Sequence, residues 1–211
     1  MPSRHTVEQG EHLSRIAVQY GFSDIAPIWD HPDNADLKNL RKNPNVLAPG
    51  DEVVIPDKVE KVHHAQTGQS LRFQIKLPKL KIRFKLLDLF GQPLANTECE
   101  LALAGMSETL TSDGDGMIEK EVSASAELGR LKVGETEWEI RIGHLDPIEE
   151  PSGLRARLNN LGYYVGEGDD EGVDPEQLRF AIELFQRDND LPIDGEVSQD
   201  LIDKVRTAHG C

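Results

Sequence analysis

The spacing of apolar residues changes period twice along this chain, from about 3.6 to 2 and back, and the two changes divide it into three parts. In the first part, Leu13, Ile16, Ala17 and Tyr20 repeat at i, i+3, i+4 and i+7. That spacing predicts a helix over 11–21, opened by Gly10-Glu11 and stopped by Gly21. Leu37 and Leu40 predict a shorter helix over 34–42, with Asp33 or Asn34 as its cap and Pro44 as its end. Ala48-Pro49-Gly50-Asp51 reads as a turn and Val53–Ile55 as a strand, so the part reads strand, helix, helix, strand.

Residues 57–70 are polar and read as a linker or edge. Alternation then takes over: Leu80, Ile82, Phe84 and Leu86; Cys99, Leu101 and Leu103; Trp138, Ile140 and Ile142. Gly-rich or Pro-containing turns separate these runs, which predicts about six or seven short antiparallel strands and a small sandwich. After a connector over 143–151, helical spacing returns. Leu154, Leu158 and Leu161 share one face behind Ser152 as a cap. Asp174-Pro175-Glu176-Gln177 is a strong helix start, followed by Leu178, Ala181, Ile182 and Phe185. A third helix starts at Ser198 and buries Leu201, Ile202 and Val205. The expected fold class is therefore multidomain α+β: a βααβ module over 1–57, a linker over 58–70, an antiparallel sandwich over 71–150 and a three-helix bundle over 151–211.

Charge narrows the partners. The net charge is −15, carried as −4, −4 and −7 by residues 1–57, 58–150 and 151–211. No part is basic, so no stretch offers the footprint of a nucleic-acid binder, and anionic membranes repel such a surface. No apolar run reaches the length of a membrane span, and Met1-Pro2-Ser3-Arg4 shows no apolar signal segment. The expectation is synthesis in the cytoplasm, with any passage to the periplasm or a target cell needing signal-independent export.

Candidate chemistry is sparse. Cys99 alternates with strand residues and reads as a small buried hydrophobe, while Cys211 ends the chain; neither suggests a disulfide scaffold. His63-His64 would point to opposite sides of an extended segment and have no ligand cluster nearby, so no metal is expected. Asp113-Gly114-Asp115-Gly116 suits a hairpin turn better than a calcium loop, because Met117 and Ala124 stand where oxygen ligands are required. The histidines are scattered and the acids lie mostly on solvated faces, so no catalytic set and no cofactor are expected. His12 reads as an exposed first-turn residue or as a glycan contact. Trp29 reads as a core anchor or a sugar-stacking ring, and Tyr163-Tyr164 carries the same pair of readings.

Two parts resemble known families. Residues 5–56 resemble a LysM domain, through Val7, Gly10, Leu13, Ser14, Ile16, Ala17, Tyr20 and Gly21, then Asn43, Pro49, Gly50 and Ile55-Pro56. Glu11-His12 stand where Asp-Thr is usual, and Ser23–Lys42 is longer than usual. The resemblance implies binding of N-acetylglucosamine glycans in a groove between Gly10, Glu11, His12 and Leu13 on one side and Asn45, Val46 and Leu47 on the other.

Residues 152–207 resemble the three-helix peptidoglycan-binding domain, through Leu154, Leu158, Leu161-Gly162-Tyr163, Ala181-Ile182, Phe185-Gln186, Leu191, Asp194-Gly195 and Leu201. Glu171-Gly172-Val173-Asp174-Pro175 replaces the family's usual turn before helix 2. This resemblance implies weak glycan contacts at Tyr163, Tyr164 and Asp194. The middle part is similar to an Ig-like sandwich in pattern. The whole arrangement is similar to small proteins encoded beside spike proteins of type VI secretion and other contractile systems, through Trp29–Asn34 and Ile142–Pro147. The function implied is a non-catalytic peptidoglycan-binding accessory of such an apparatus, with a spike protein or toxin as a further partner. The alternative is a cytoplasmic adaptor or loading factor that uses the same modules for protein contacts.

Overall fold

The computed structural model describes residues 2–59, 66, 68, 70, 72, 74–88, 90–166 and 174–210. His63, His64, most of the expected linker, the Glu171–Val173 turn and Cys211 lie outside the described residues. The chain divides into two compact units, residues 1–144 and 145–211.

The first unit opens with β1 (Ser3–Thr6), which pairs antiparallel with β2 (Glu52–Ile55) in a register of Ser3 to Ile55 and Thr6 to Glu52. Between them lie α1 (Leu13–Gln19), α2 (Ala26–Trp29), a 3-10 turn (Pro32–Asn34) and α3 (Ala35–Arg41). The expected helix over 11–21 is shorter at both ends, because Gly10 is at φ +86 and His12 is extended at φ −143. α2 and the 3-10 turn fill the segment whose period was too short to read. Trp29 is buried in the core with Leu13, Ile16, Ala17, Ile28, Leu47 and Val53. Each such side chain contributes roughly 1.5–3 kcal/mol by leaving water. Leu40 is 61% exposed, so α3 presents one apolar residue to the core, Leu37, rather than two.

Asn34 is the crosslink that fixes this insert. Its Nδ2 donates to the carbonyls of Ile28 and Val54, each at 2.8 Å, and its Oδ1 accepts from the Val54 N–H at 2.8 Å. It does not cap α3 with its side chain, as the sequence suggested, because Val54 of β2 takes two of its bonds and Ile28 of α2 the third. Arg41 and Asp51 add a two-point ion pair at 2.8 and 2.9 Å, both side chains nearly buried.

Residues 79–141 build two antiparallel sheets. β3 (Lys79–Lys85) pairs with β6 (Met117–Ser123); β4 (Glu98–Leu103), β5 (Met106–Thr111), β7 (Leu128–Val133) and β8 (Thr136–Arg141) form the order β5-β4-β7-β8. Ile82, Phe84 and Ile118 from the first sheet share a core with Cys99, Leu101, Leu110 and Leu131 from the second. Burial pushes the Cys99 thiol above its usual range. Trp138 keeps the register of Leu131 but is 49% exposed, since β8 is an edge strand of its sheet. The Asp113–Gly116 turn closes on itself: Asp113 Oδ1 accepts from the N–H groups of Asp115 and Met117 at 2.9 and 2.8 Å.

The second unit holds α4 (Pro151–Asn160), α5 (Pro175–Asp188) and α6 (Gln199–His209) around Leu154, Leu158, Ala181, Ile182, Phe185, Leu201 and Val205. Asp174 caps α5 through the Glu176 N–H at 3.0 Å, and Ser198 caps α6 through Leu201 at 3.2 Å. Ser152 is not the cap of α4. It lies inside the helix and donates to Asp146 Oδ2 at 2.7 Å, while Glu150 takes the cap position with Pro151 behind it. Among the described residues no helix is long and apolar enough to cross a membrane.

Candidate functional site

The two rims expected at the N-terminal groove do come together. The Leu13 N–H donates to the Pro44 carbonyl at 3.0 Å, and the Ser14 hydroxyl donates to Asn45 Oδ1 at 2.8 Å. The groove they would form is spent on the protein itself. Gly10, His12, Leu13, Val46 and Leu47 are buried, and Glu11 and Asn45 are half-buried. Glu11 Oε2 lies 2.7 Å from His5 Nε2 and accepts from the Glu8 N–H at 2.9 Å. His5 Nδ1 reaches the Tyr20 hydroxyl at 3.3 Å with the two rings edge to face. The His5–Glu11 pair, of which Glu11 stands in the Asp-Thr position of the resemblance, ties β1 to the segment leading into α1.

His12 is not an exposed first-turn residue; it is 1% exposed. It is the N-cap of α1, and its Nδ1 accepts from the Arg15 N–H at 3.3 Å. A ring that accepts at Nδ1 carries its neutral-form proton on Nε2, and that atom is buried with no hydrogen-bond partner among the described residues. Burial lowers the imidazole to about 4, with Arg15 acting in the same direction and Asn45 and Glu11 opposing.

Gly143 covers this spot. A Cβ at Gly143 would stand 2.5 Å from the Gly10 carbonyl oxygen and 3.0 Å from His12 Cδ2, so the main chain after β8 sits directly against both residues. The same construction at Gly10 would meet the His144 ring at 2.8 Å. Gly143 is at φ +85, a left-handed backbone that a side chain would strain as well. Arg15 reaches Glu127 at 2.5 Å nearby, a second tie between α1 and the sheets. Gly143 and His144, within the Ile142–Pro147 segment, thus lie against the groove.

In the second unit the expected glycan contacts separate. Tyr163 packs edge to face on Phe185 at 5.2 Å and its hydroxyl donates to Asp188 Oδ2 at 3.3 Å. Burial and the Asp188 carboxylate both raise its pKa. Tyr164 is 57% exposed. Asp194 serves the turn before α6: its carboxylate accepts from the Glu196 N–H at 2.9 Å and from Gln186 Nε2 at 2.7 Å, which hold it below the usual carboxylate range. Gln186, 2% exposed, accepts in return from the N–H groups of Asp194 and Gly195 at 3.1 and 2.9 Å. The Phe185-Gln186 and Asp194-Gly195 matches therefore record one hydrogen-bonded turn.

An open concavity lies elsewhere among the described residues. A pocket of about 310 Å³ has Ile148, Leu154, Leu178 and Ile202 as its apolar wall, with Glu149, Glu150, Pro151 and the half-exposed Val197 beside them. Glu149 is paired with Arg206 at 2.9 Å. The sequence placed Leu154, Leu178 and Ile202 in helix stripes and Ile148–Glu150 in a connector. Nothing in the period shows that the three stripes meet short of closure at one end. Among the described residues, no three His, Cys, Asp or Glu side chains gather as a metal site would require.

Residues 149–205 match the family model of a putative peptidoglycan binding domain. No curated protein and no solved structure matches the chain.

Proposed function

We propose that this protein is a non-catalytic accessory that holds peptidoglycan through its C-terminal three-helix region. The observation that carries the reading is the family match over 149–205. The same helices bear a pocket that no side chain among the described residues fills. Sedimentation of the full chain with purified sacculi tests it. Pelleting that is lost when Val197 and Tyr164 are replaced by charged residues is the expected result. A chain that stays in the supernatant with wild-type sacculi overturns the reading.

A second reading concerns the first unit. The LysM-like resemblance assigns it a glycan groove, yet Gly143 abuts the rim residues Gly10 and His12. That favours a module used for protein contact, with the Ig-like sheets as part of the same docking piece. Its partner would be a spike protein or toxin of a type VI or related contractile apparatus, which would also carry the chain out of the cytoplasm. Co-purification of residues 1–144 with such a partner supports this role; binding of N-acetylglucosamine oligomers by that unit with micromolar affinity argues for the glycan role instead.

A further inference from the structure

We propose that the pocket at the start of α4 takes the cationic side chain of a peptidoglycan stem peptide, rather than a sugar of the glycan strand. The proposal rests on the wall-binding reading above and names the part of the wall that is held. Its wall is aliphatic: Ile148, Leu154, Leu178 and Ile202. The charged groups that line it are both carboxylates, Glu149 and Glu150. Glu149 is neutralised by Arg206 at 2.9 Å. Glu150 is exposed at the cap of α4, and no cation pairs with it among the described residues.

An aliphatic trough with one free carboxylate at its side matches a particular ligand shape. A chain of methylenes lies along the wall while an ammonium at its end meets the acid, the way a lysine stem covers apolar surface and keeps its head at the water. The diamino acid of a stem peptide has that shape. A pyranose does not fit the same walls. It needs several polar partners for its hydroxyls or a flat aromatic face, and no aromatic residue lines this pocket. The sign of the field agrees, since residues 151–211 carry −7 and favour a cation over an anion at the mouth.

The test uses the full chain with labelled methyl groups, followed by NMR. The probes are a free tetrapeptide stem carrying the diamino acid, the same peptide with its side-chain amine acetylated, and a tetramer of N-acetylglucosamine. The tetrapeptide is expected to shift the methyl signals of Leu154, Leu178, Val197 and Ile202, and acetylation to weaken it about threefold, the size of one part-exposed ion pair. Glu150→Gln should bind both peptides alike. Val197→Lys, which places an ammonium of the protein's own at this half-exposed position, should abolish the shifts while the methyl signals of Ile182 and Leu201, in the core around Phe185, stay in place. The proposal is overturned if the tetrapeptide leaves those methyls unmoved, if the sugar tetramer moves them as far, or if Glu150→Gln still tells the two peptides apart. Sacculi that still pellet the chain while the peptide leaves the pocket untouched would sink this proposal alone. Loss of both would sink the wall reading with it.

Discussion

The N-terminal groove and the C-terminal pocket make opposite use of similar material. The groove has the more extensive sequence signature, with matching residues at both ends of its module. Its side chains are nevertheless turned to the chain itself: His12 caps α1 through Nδ1, Asn45 holds Ser14, Glu11 holds His5, and Gly143 lies over Gly10. The pocket has almost no signature of its own. Among the described residues it is open because Ile148, Leu154, Leu178 and Ile202 converge around about 310 Å³ without filling it. A motif thus reports which residues surround a depression, and a remote segment decides whether the depression is still available.

The contrast can be broken most directly at Gly143. Gly143→Ala adds a Cβ against the Gly10 carbonyl at a positive φ. It should cost the first unit about 4 kcal/mol, from the close contact and the strained backbone together. Denaturant unfolding would measure this. If Ala is absorbed without loss, the main chain is not held against the groove. If the variant stays folded and gains affinity for N-acetylglucosamine oligomers, closure by the chain is all that separates the two sites.

The next effect is on pH. Because the folded pKa of His12 lies below the free value of 6.5, the unfolded chain takes up a proton first. Stability of the first unit is therefore full above about 6.5 and drains as the pH falls, the loss being complete near the folded value of about 4. The whole swing is at most about 3 kcal/mol. His12→Asn replaces the capping Nδ1 with a capping oxygen and removes the titration. An unchanged slope of stability between pH 4 and 6.5 in that variant would show that His12 is not the group responsible.

On the C-terminal side, Gln186→Leu deletes the bonds that organise the Asp194–Glu196 turn and should cost about 2 kcal/mol. Because this turn leads toward Val197, the same variant should also blunt any ligand shift at that methyl. The smallest effect belongs to the tyrosine pair. Tyr164→Ser at an exposed position should alter stability by less than about 0.5 kcal/mol. Tyr163→Leu, at the ring packed edge to face on Phe185, should cost clearly more by thermal unfolding. Equal costs would mean that the two rings are not divided between core and surface.

Much of the fold was legible because it follows from local rules. The stripe Leu178, Ala181, Ile182 and Phe185, with Asp174 and Pro175 ahead of it, yields α5 with the expected cap. The alternation at Leu80, Ile82 and Phe84 yields β3. Local rules failed where a distant strand outbid them. Asn34 has the chemistry of a cap, but Val54 of β2 and Ile28 of α2 offer it three bonds, and Ser152 is drawn to Asp146 instead of to its own helix. α2 is four residues long, too short to display a period.

The sequence alone determined the two changes of period, most helix and strand positions, the acidic character of every part and the peptidoglycan-binding resemblance of the last. These depend on neighbours within a few residues or on composition. Only the tertiary structure decided that His12 is a buried cap, that Gly143 covers it from 131 residues away in sequence, and that three helices leave one aliphatic hollow beside Glu150. Occlusion and opening are made by segments that meet only after folding, and no spacing along the chain encodes which of them arrives first at a given surface.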